Sequence, residues 1–269
     1  MPKVRLDVLL VERGLAESRA QAQALIMAGK VRLDGELALK PGTPVDAGGR
    51  LQVDQGLRFV SRGGEKLEAA LGAFALDVTG LVCADVGAST GGFTDCLLQR
   101  GASRVYAIDV GKGVLHWKLR NDPRVVVMEE TNARFVERLP EPILLVTVDA
   151  SFISLRVLLP VVKAWLGPGT GTDGGSLVAL IKPQFEAGKR NVARGKGVIR
   201  DAAVHRQVLL DVLRFAESQG LGVFGLQRSP LLGPKGNIEF LAWLAPEPGG
   251  SPVEALVGAV LPESGPTIP

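Results

Sequence analysis

The chain has 269 residues, 46% of them apolar and 22% charged, with a net charge of +3. That length suits one full-sized α/β domain beside a smaller module, and the composition excludes a disordered or fibrous chain. The mild positive surplus permits a polyanionic partner without establishing one. The two cysteines, Cys83 and Cys96, have neither metal-ligand nor disulfide spacing and read as small core residues.

Residues 1–7 alternate charge with hydrophobe and lack the long apolar core of a secretory signal, so export is not expected. Residues 1–57 form a first unit. Val4, Leu6, Val8, Leu9 and Leu10 lead to Gly14, a helix stop. Ser18 is placed to cap a second helix rich in alanine, which Gly29 ends. Short strands follow over 31–33, 36–38 and 51–53, separated by turns at Asp34-Gly35, Pro41-Gly42 and Gly48-Gly49. The stretch RLDVLLVERGLAESRAQAQALIMAGKVRLDG resembles the S4 RNA-binding module. The resemblance implies an α+β unit that presents Arg5, Arg19, Lys30 and Arg32 to structured RNA.

Residues 58–62 are expected to link this unit to a second one over 63–245. There Leu67, Ala70, Leu71 and Phe74 recur at helical spacing. An alternation then predicts strand 82–86, helix 93–100, strands 105–109, 125–128 and 144–148, helix 155–166, strand 177–181 and helix 202–219. That order argues for an α/β domain with a parallel, doubly wound sheet. Two last strands, 223–227 and 238–244, have only a turn between them and should pair antiparallel. The pattern resembles the seven-stranded class I (Rossmann-like) methyltransferase fold. Residues 246–269, rich in proline and glycine, are expected to be mobile. The longest apolar run, 143–162, is interrupted by Asp149 and Arg156, so no membrane-spanning helix is expected.

The strongest motif is DVGASTGGFT at 85–94, which leaves a buried strand and opens a helix. Its glycines let the backbone turn tightly beside a ligand, and the helix start offers unpaired N–H donors. Dinucleotide enzymes also place a glycine loop there, but they use G-x-G-x-x-G with an acid about 20 residues on. Here the loop reads G-x-x-x-G-G, and Asp109 lies 24 residues beyond Asp85. S-adenosylmethionine fits better. Asp85, Gly87, Ala88, Ser89, Gly91, Gly92 and Phe93 are expected around it, with Asp109 on its ribose and Asn132 on its adenine edge.

Chemistry in a doubly wound sheet sits at the carboxyl ends of the strands. Asp149 and Lys182 each end a parallel strand, Glu239 starts the antiparallel one on the same edge, and Lys66 lies on the preceding helix. The four resemble the Lys-Asp-Lys-Glu tetrad of FtsJ-like ribose 2′-O-methyltransferases. With an S4 module in front, the chain resembles the TlyA (hemolysin A) family of ribosomal RNA 2′-O-methyltransferases over residues 3–245. The resemblance implies methyl transfer to a ribose 2′-hydroxyl, of a cytidine in 16S or 23S rRNA or both, in the cytoplasm. Lys182 is expected to act on that hydroxyl. A lysine's ordinary pKa of about 10.4 makes it a weak base, which burial and a second cation improve. Asp149 and Glu239 would orient it, and Lys66 would steer the ribose-phosphate.

Between 182 and 200, six basic residues face one acid, Glu186. Lys189, Arg190, Arg194 and Lys196 are expected to clamp RNA beside the site. Competing readings are a membrane-acting haemolysin, for which no spanning or cationic amphipathic helix is visible, and an RNA-binding protein without catalysis, against which the glycine loop and tetrad speak. His116 and His205 have no partners at metal or triad spacing.

Overall fold

The computed structural model describes residues 3–54, 56–167, 175–188 and 196–261. It divides into two units, Met1–Arg58 and Phe59–Pro269.

In the first, strand β1 (Lys3–Arg5) runs into helix α1 (Leu6–Glu12), and helix α2 (Arg19–Met27) follows. Ser18 Oγ accepts the N–H of Gln21 and caps α2, as its position in the sequence predicts. Leu6, Leu9, Leu10, Ala22 and Ile26 pack the two helices together. Strand β2 (Val31–Leu33) pairs antiparallel with β3 (Glu36–Leu37) and with β5 (Leu51–Val53). A separate ribbon joins β1 to β4 (Pro44–Asp46). The sequence reading does not anticipate that ribbon, whose two strands are separated by both helices and by β2 and β3.

The second unit opens with α3 (Gly63–Ala73), β6 (Val82–Val86), α4 (Gly92–Gln99), β7 (Arg104–Ile108), α5 (Trp117–Arg120) and β8 (Val125–Met128). It continues through β9 (Leu145–Val148), α6 (Leu155–Lys163), β10 (Ser176–Ile181), α7 (Pro183–Glu186), α8 (Ala202–Ser218), β11 (Gly222–Arg228), β12 (Phe240–Ala245) and α9 (Val253–Val260). The seven-stranded sheet has the order β11-β12-β10-β9-β6-β7-β8. Only β12 runs against its neighbours β10 and β11, as expected from the short connection before it. Strands β6, β9 and β10 are buried along nearly their whole length, which suits a parallel sheet covered on both faces. Leu155, Leu158, Leu159 and Val162 of α6 and Val208, Leu209, Val212 and Leu213 of α8 join the core on one face; Leu67 and Leu71 of α3 and Leu97 of α4 join that on the other.

Two expectations change. Residues 59–62 belong to the second unit: Phe59 is buried in its core, and the N–H of Val60 donates to Asp95 Oδ2 at 2.9 Å. Within the stretch expected to be mobile, α9 is an ordered helix whose Val253 and Val257 are buried in the sheet's core. Burial of those two side chains outweighs the surrounding proline and glycine.

Candidate active site

Strand order reverses between β6 and β9, so their carboxyl ends open a crevice. Gly87 stands at its base with φ +83°, and a Cβ there would lie 2.7 Å from the Asp149 carbonyl oxygen. Only glycine lets the two strand ends approach so closely. Asp109 follows β7 and ties the loop down: its Oδ2 accepts the N–H of Ser89 at 2.8 Å and its Oδ1 that of Gly111 at 2.7 Å. Ser89 itself sits at φ +50°, a left-handed backbone uncommon for residues other than glycine.

A cavity of about 470 Å³ opens here, with Gly87, Ser89, Asp109, Asn132, Ile153 and Leu158 in its lining. Asn132 Oδ1 caps a 3₁₀ turn over Ala133–Phe135 by accepting the N–H of Arg134. Its amide Nδ2 has no protein partner among the described residues. The donor set suits a nucleoside with an amino-acid tail. It offers a carboxylate for vicinal hydroxyls, an amide for a base edge, apolar walls and a glycine loop.

A second cavity of about 430 Å³ shares Gly87, Ser89 and Asp149 with the first and adds Ser61, Arg62, Lys66 and the loop from Leu231 to Pro234. Asp149 follows β9 and Lys182 follows β10. Lys182 Nζ lies 2.5 Å from Asp149 Oδ1 and donates to Ser151 Oγ at 3.0 Å. Burial pushes the Asp149 carboxyl above its usual range, and Lys182 pulls against that shift. Glu239, immediately before β12, is wholly buried; its Oε2 accepts from Lys66 Nζ at 2.6 Å and its Oε1 from Gln184 Nε2 at 3.1 Å. A Cβ on Gly233 would fall 2.0 Å from Glu239 Oε1, so this loop closes directly over the carboxylate. The four predicted residues thus converge as two lysine–carboxylate pairs on one edge of the sheet.

Residues 59–245 match the FtsJ-like methyltransferase family. The chain belongs to that family. Residues 4–51 match the S4 domain. Among curated relatives, "Putative rRNA methyltransferase YqxC" of Bacillus subtilis is 48% identical over 268 residues, covering 97% of this chain and 90% of the relative. "16S/23S rRNA (cytidine-2'-O)-methyltransferase TlyA" of Mycobacterium tuberculosis is 49% identical over 246 residues, 90% of each chain. A solved structure, "Putative hemolysin from Streptococcus thermophilus", superposes with a TM-score of 0.70 at 44% identity, covering 97% of this chain and 96% of that one. No described helix is long and apolar enough to cross a membrane.

Other expected site residues of this FtsJ-like methyltransferase fall differently. Asp85 lines neither cavity. It is wholly buried beneath the loop, with Oδ2 accepting from Thr94 N and Oγ1 and Oδ1 accepting from Thr147 Oγ1 at 3.0 Å. Burial is the main cause that lifts its carboxyl to about 7; the threonines oppose the shift and the nearby Asp149 charge adds to it. Gly91 also lies outside both cavities, at φ +94° and packed under Leu119. Ala88, Gly92 and Phe93 line the second cavity rather than the first.

In the S4 unit, Arg5 and Arg19 both bind the buried Asp7. Lys30 is half-buried, and Arg32 Nη1 donates to the carbonyl of Gly35. Lys189, Arg190 and Arg194 lie outside the described residues, while Lys196 is exposed. His205 is buried against the Ile199 carbonyl, and His116 Nδ1 accepts the N–H of Lys118. Sequence reasoning missed Ser151, Gln184 and Gly233. Ser151 and Gln184 each lie two residues from a tetrad member, the one signal available for them.

Proposed function

We propose that this chain transfers a methyl group from S-adenosylmethionine to the ribose 2′-hydroxyl of a cytidine in 16S rRNA, 23S rRNA or both, acting in the cytoplasm. The observation that carries the reading is the convergence of Lys66, Asp149, Lys182 and Glu239 beside a glycine-loop cavity, with Asp149 lining both cavities. The rRNA substrate is supported by the S4 match and by the curated relative named for cytidine 2′-O-methylation.

Bound to Gly87, Ser89, Asp109 and Asn132, the cofactor supplies a sulfonium methyl that is already strongly electrophilic. The chain's remaining task is to hold and deprotonate a poor nucleophile. Lys182 Nζ is the group placed to receive the hydroxyl proton. Asp149 Oδ1, 2.5 Å away, steadies the ammonium that forms, and Ser151 Oγ fixes the direction of the nitrogen. Lys66, held by Glu239, presents a positive charge to the second cavity, where the ribose-phosphate docks. Alignment of oxygen with methyl supplies much of the remaining rate.

The test is incubation of the purified chain with ribosomal subunits and methyl-labelled S-adenosylmethionine, followed by mapping of modified nucleotides. Label on a cytidine 2′-oxygen is expected. Label on a base, or none on either rRNA, overturns the reading.

A further inference from the structure

The S4 unit contains an ionic cluster that its packing does not require. Asp7, in the first turn of α1, has no exposed surface, yet it accepts four hydrogen bonds. Arg5 donates through Nε and Nη2, each at 3.0 Å, Arg19 through Nε at 2.9 Å, and Gln23 through Nε2 at 2.8 Å. Arg5 holds the Asp7 carboxyl well below the usual carboxylate range, so the anion is present at any physiological pH. Leu6, Leu9, Leu10, Ala22 and Ile26 already build the core around it, and an apolar side chain of similar size avoids the desolvation of a buried charge.

What the carboxylate does achieve is visible in its partners. It draws two guanidiniums together, leaves a surplus positive charge, and keeps both side chains about half exposed, at 49% and 55%. Arg19 is also the first residue of α2, where the helix dipole is already positive and a cation is disfavoured. The sequence thus concentrates positive potential where helix stability alone asks for the opposite. Arg19 spends only Nε on Asp7, so Nη1 and Nη2 have no protein partner among the described residues. Such a planar pair matches two phosphate oxygens. Residues 1–58 carry nine basic side chains against seven acidic ones, so bulk charge is a weak attractor and arrangement must supply the affinity.

We infer that Asp7 is a positioning residue that presents Arg5 and Arg19 as a fixed fork for a backbone phosphate of the RNA; this rests on the reading that the chain acts on rRNA. An arginine docked in advance loses less rotamer freedom on binding than a mobile one, so the carboxylate raises affinity without touching the ligand.

The experiment uses the full chain, ribosomal subunits as the RNA probe and adenosylhomocysteine as an independent ligand of the second unit. Asp7→Asn and Arg19→Lys are each expected to weaken subunit binding about tenfold, while adenosylhomocysteine affinity is unchanged. Arg19→Gln should weaken binding in the wild-type background and add little in the Asp7→Asn background, because the fork is already lost. Arg19→Lys keeps the charge on an exposed site and decides the matter even where Asp7→Asn does not fold. Subunit binding equal to wild type in Arg19→Lys, or an undiminished Arg19→Gln effect in the Asp7→Asn background, overturns the inference. Wild-type chain that fails to bind subunits overturns the rRNA reading instead.

Discussion

The two lysine–carboxylate pairs of the candidate site are inverted copies of one another. In Lys66–Glu239 the carboxylate is fully buried, and the lysine lines the second cavity. In Lys182–Asp149 the lysine is the more deeply buried partner, 8% exposed, while the carboxylate, 23% exposed, lines both cavities. The same two chemical groups therefore present opposite signs to the crevice, and which partner is buried decides the sign. A pair that offers an ammonium suits a phosphate. A pair that offers a carboxylate backed by a lysine suits a hydroxyl that must lose a proton.

The largest expected effect separates the two lysines. Lys182→Ala should lower turnover by roughly 10²–10⁴-fold, the usual scale of general-base assistance, and leave adenosylhomocysteine affinity nearly unchanged. Lys66→Ala should act mainly on the RNA, raising KM about tenfold with a smaller change in kcat. Steady-state kinetics with calorimetry on both variants checks this. A Lys182→Ala enzyme with ordinary kcat, or a Lys66→Ala enzyme with the larger kcat defect, removes the division of labour.

A second, intermediate effect probes Glu239 without altering any charge. The methyl of Gly233→Ala falls 2.0 Å from Glu239 Oε1, too close for either to remain in place. Glu239 must move, and Lys66 loses the fixed partner that positions it. Activity should fall about tenfold, the equivalent of losing one charge-assisted hydrogen bond. Gly72→Ala in α3 is the control: nothing lies within 4 Å of its added Cβ, so activity should be unaffected. Equal turnover in the two variants would break the link between the 231–234 loop and the buried carboxylate.

How much of this was legible in the sequence depends on distance along the chain. The glycine loop reads directly, because glycine at 87, 91 and 92 after a buried strand has a local steric meaning. The tetrad reads through strand order, since parallel strands all end on one edge and the reversed last strand begins there. The pairing within it does not: Lys66 and Glu239 are 173 residues apart, and nothing local says that Glu239 holds Lys66 rather than Lys182. Asp85 was misleading for a related reason. Its place at the head of the motif suggests a ligand, but its carboxylate is directed to Thr94 and Thr147 within the fold. Asp7 looked like one more charge in an alternating segment. Its three partners lie 2, 12 and 16 residues away and are assembled only when α1 packs on α2.

The smallest effect concerns the charge behind the Lys182–Asp149 pair. Among the described residues no cation bonds to Asp85, and the field of Asp149 helps hold its proton on. Its folded pKa of about 7 lies above the ordinary 3.8. Between those values the folded chain keeps a proton that the unfolded chain releases, so stability is highest at the acid end of the window and declines as pH rises through it. The slope contributed by one proton is at most about 1.4 kcal/mol per pH unit. Asp85→Asn removes this dependence and keeps an oxygen for the Thr94 donors. Its urea midpoint relative to wild type should therefore improve from pH 5 upward and level off above about pH 7. Asp149→Asn should shrink the same difference by withdrawing the neighbouring charge, while leaving Thr94 and Thr147 in place. A wild-type and Asp85→Asn pair with parallel stability profiles across that range would mean that Asp85 is ionised throughout, its charge carried by the threonines alone. A buried anion would then lie beneath the glycine loop, held by hydrogen bonds from Thr94 and Thr147 and by no cation among the described residues.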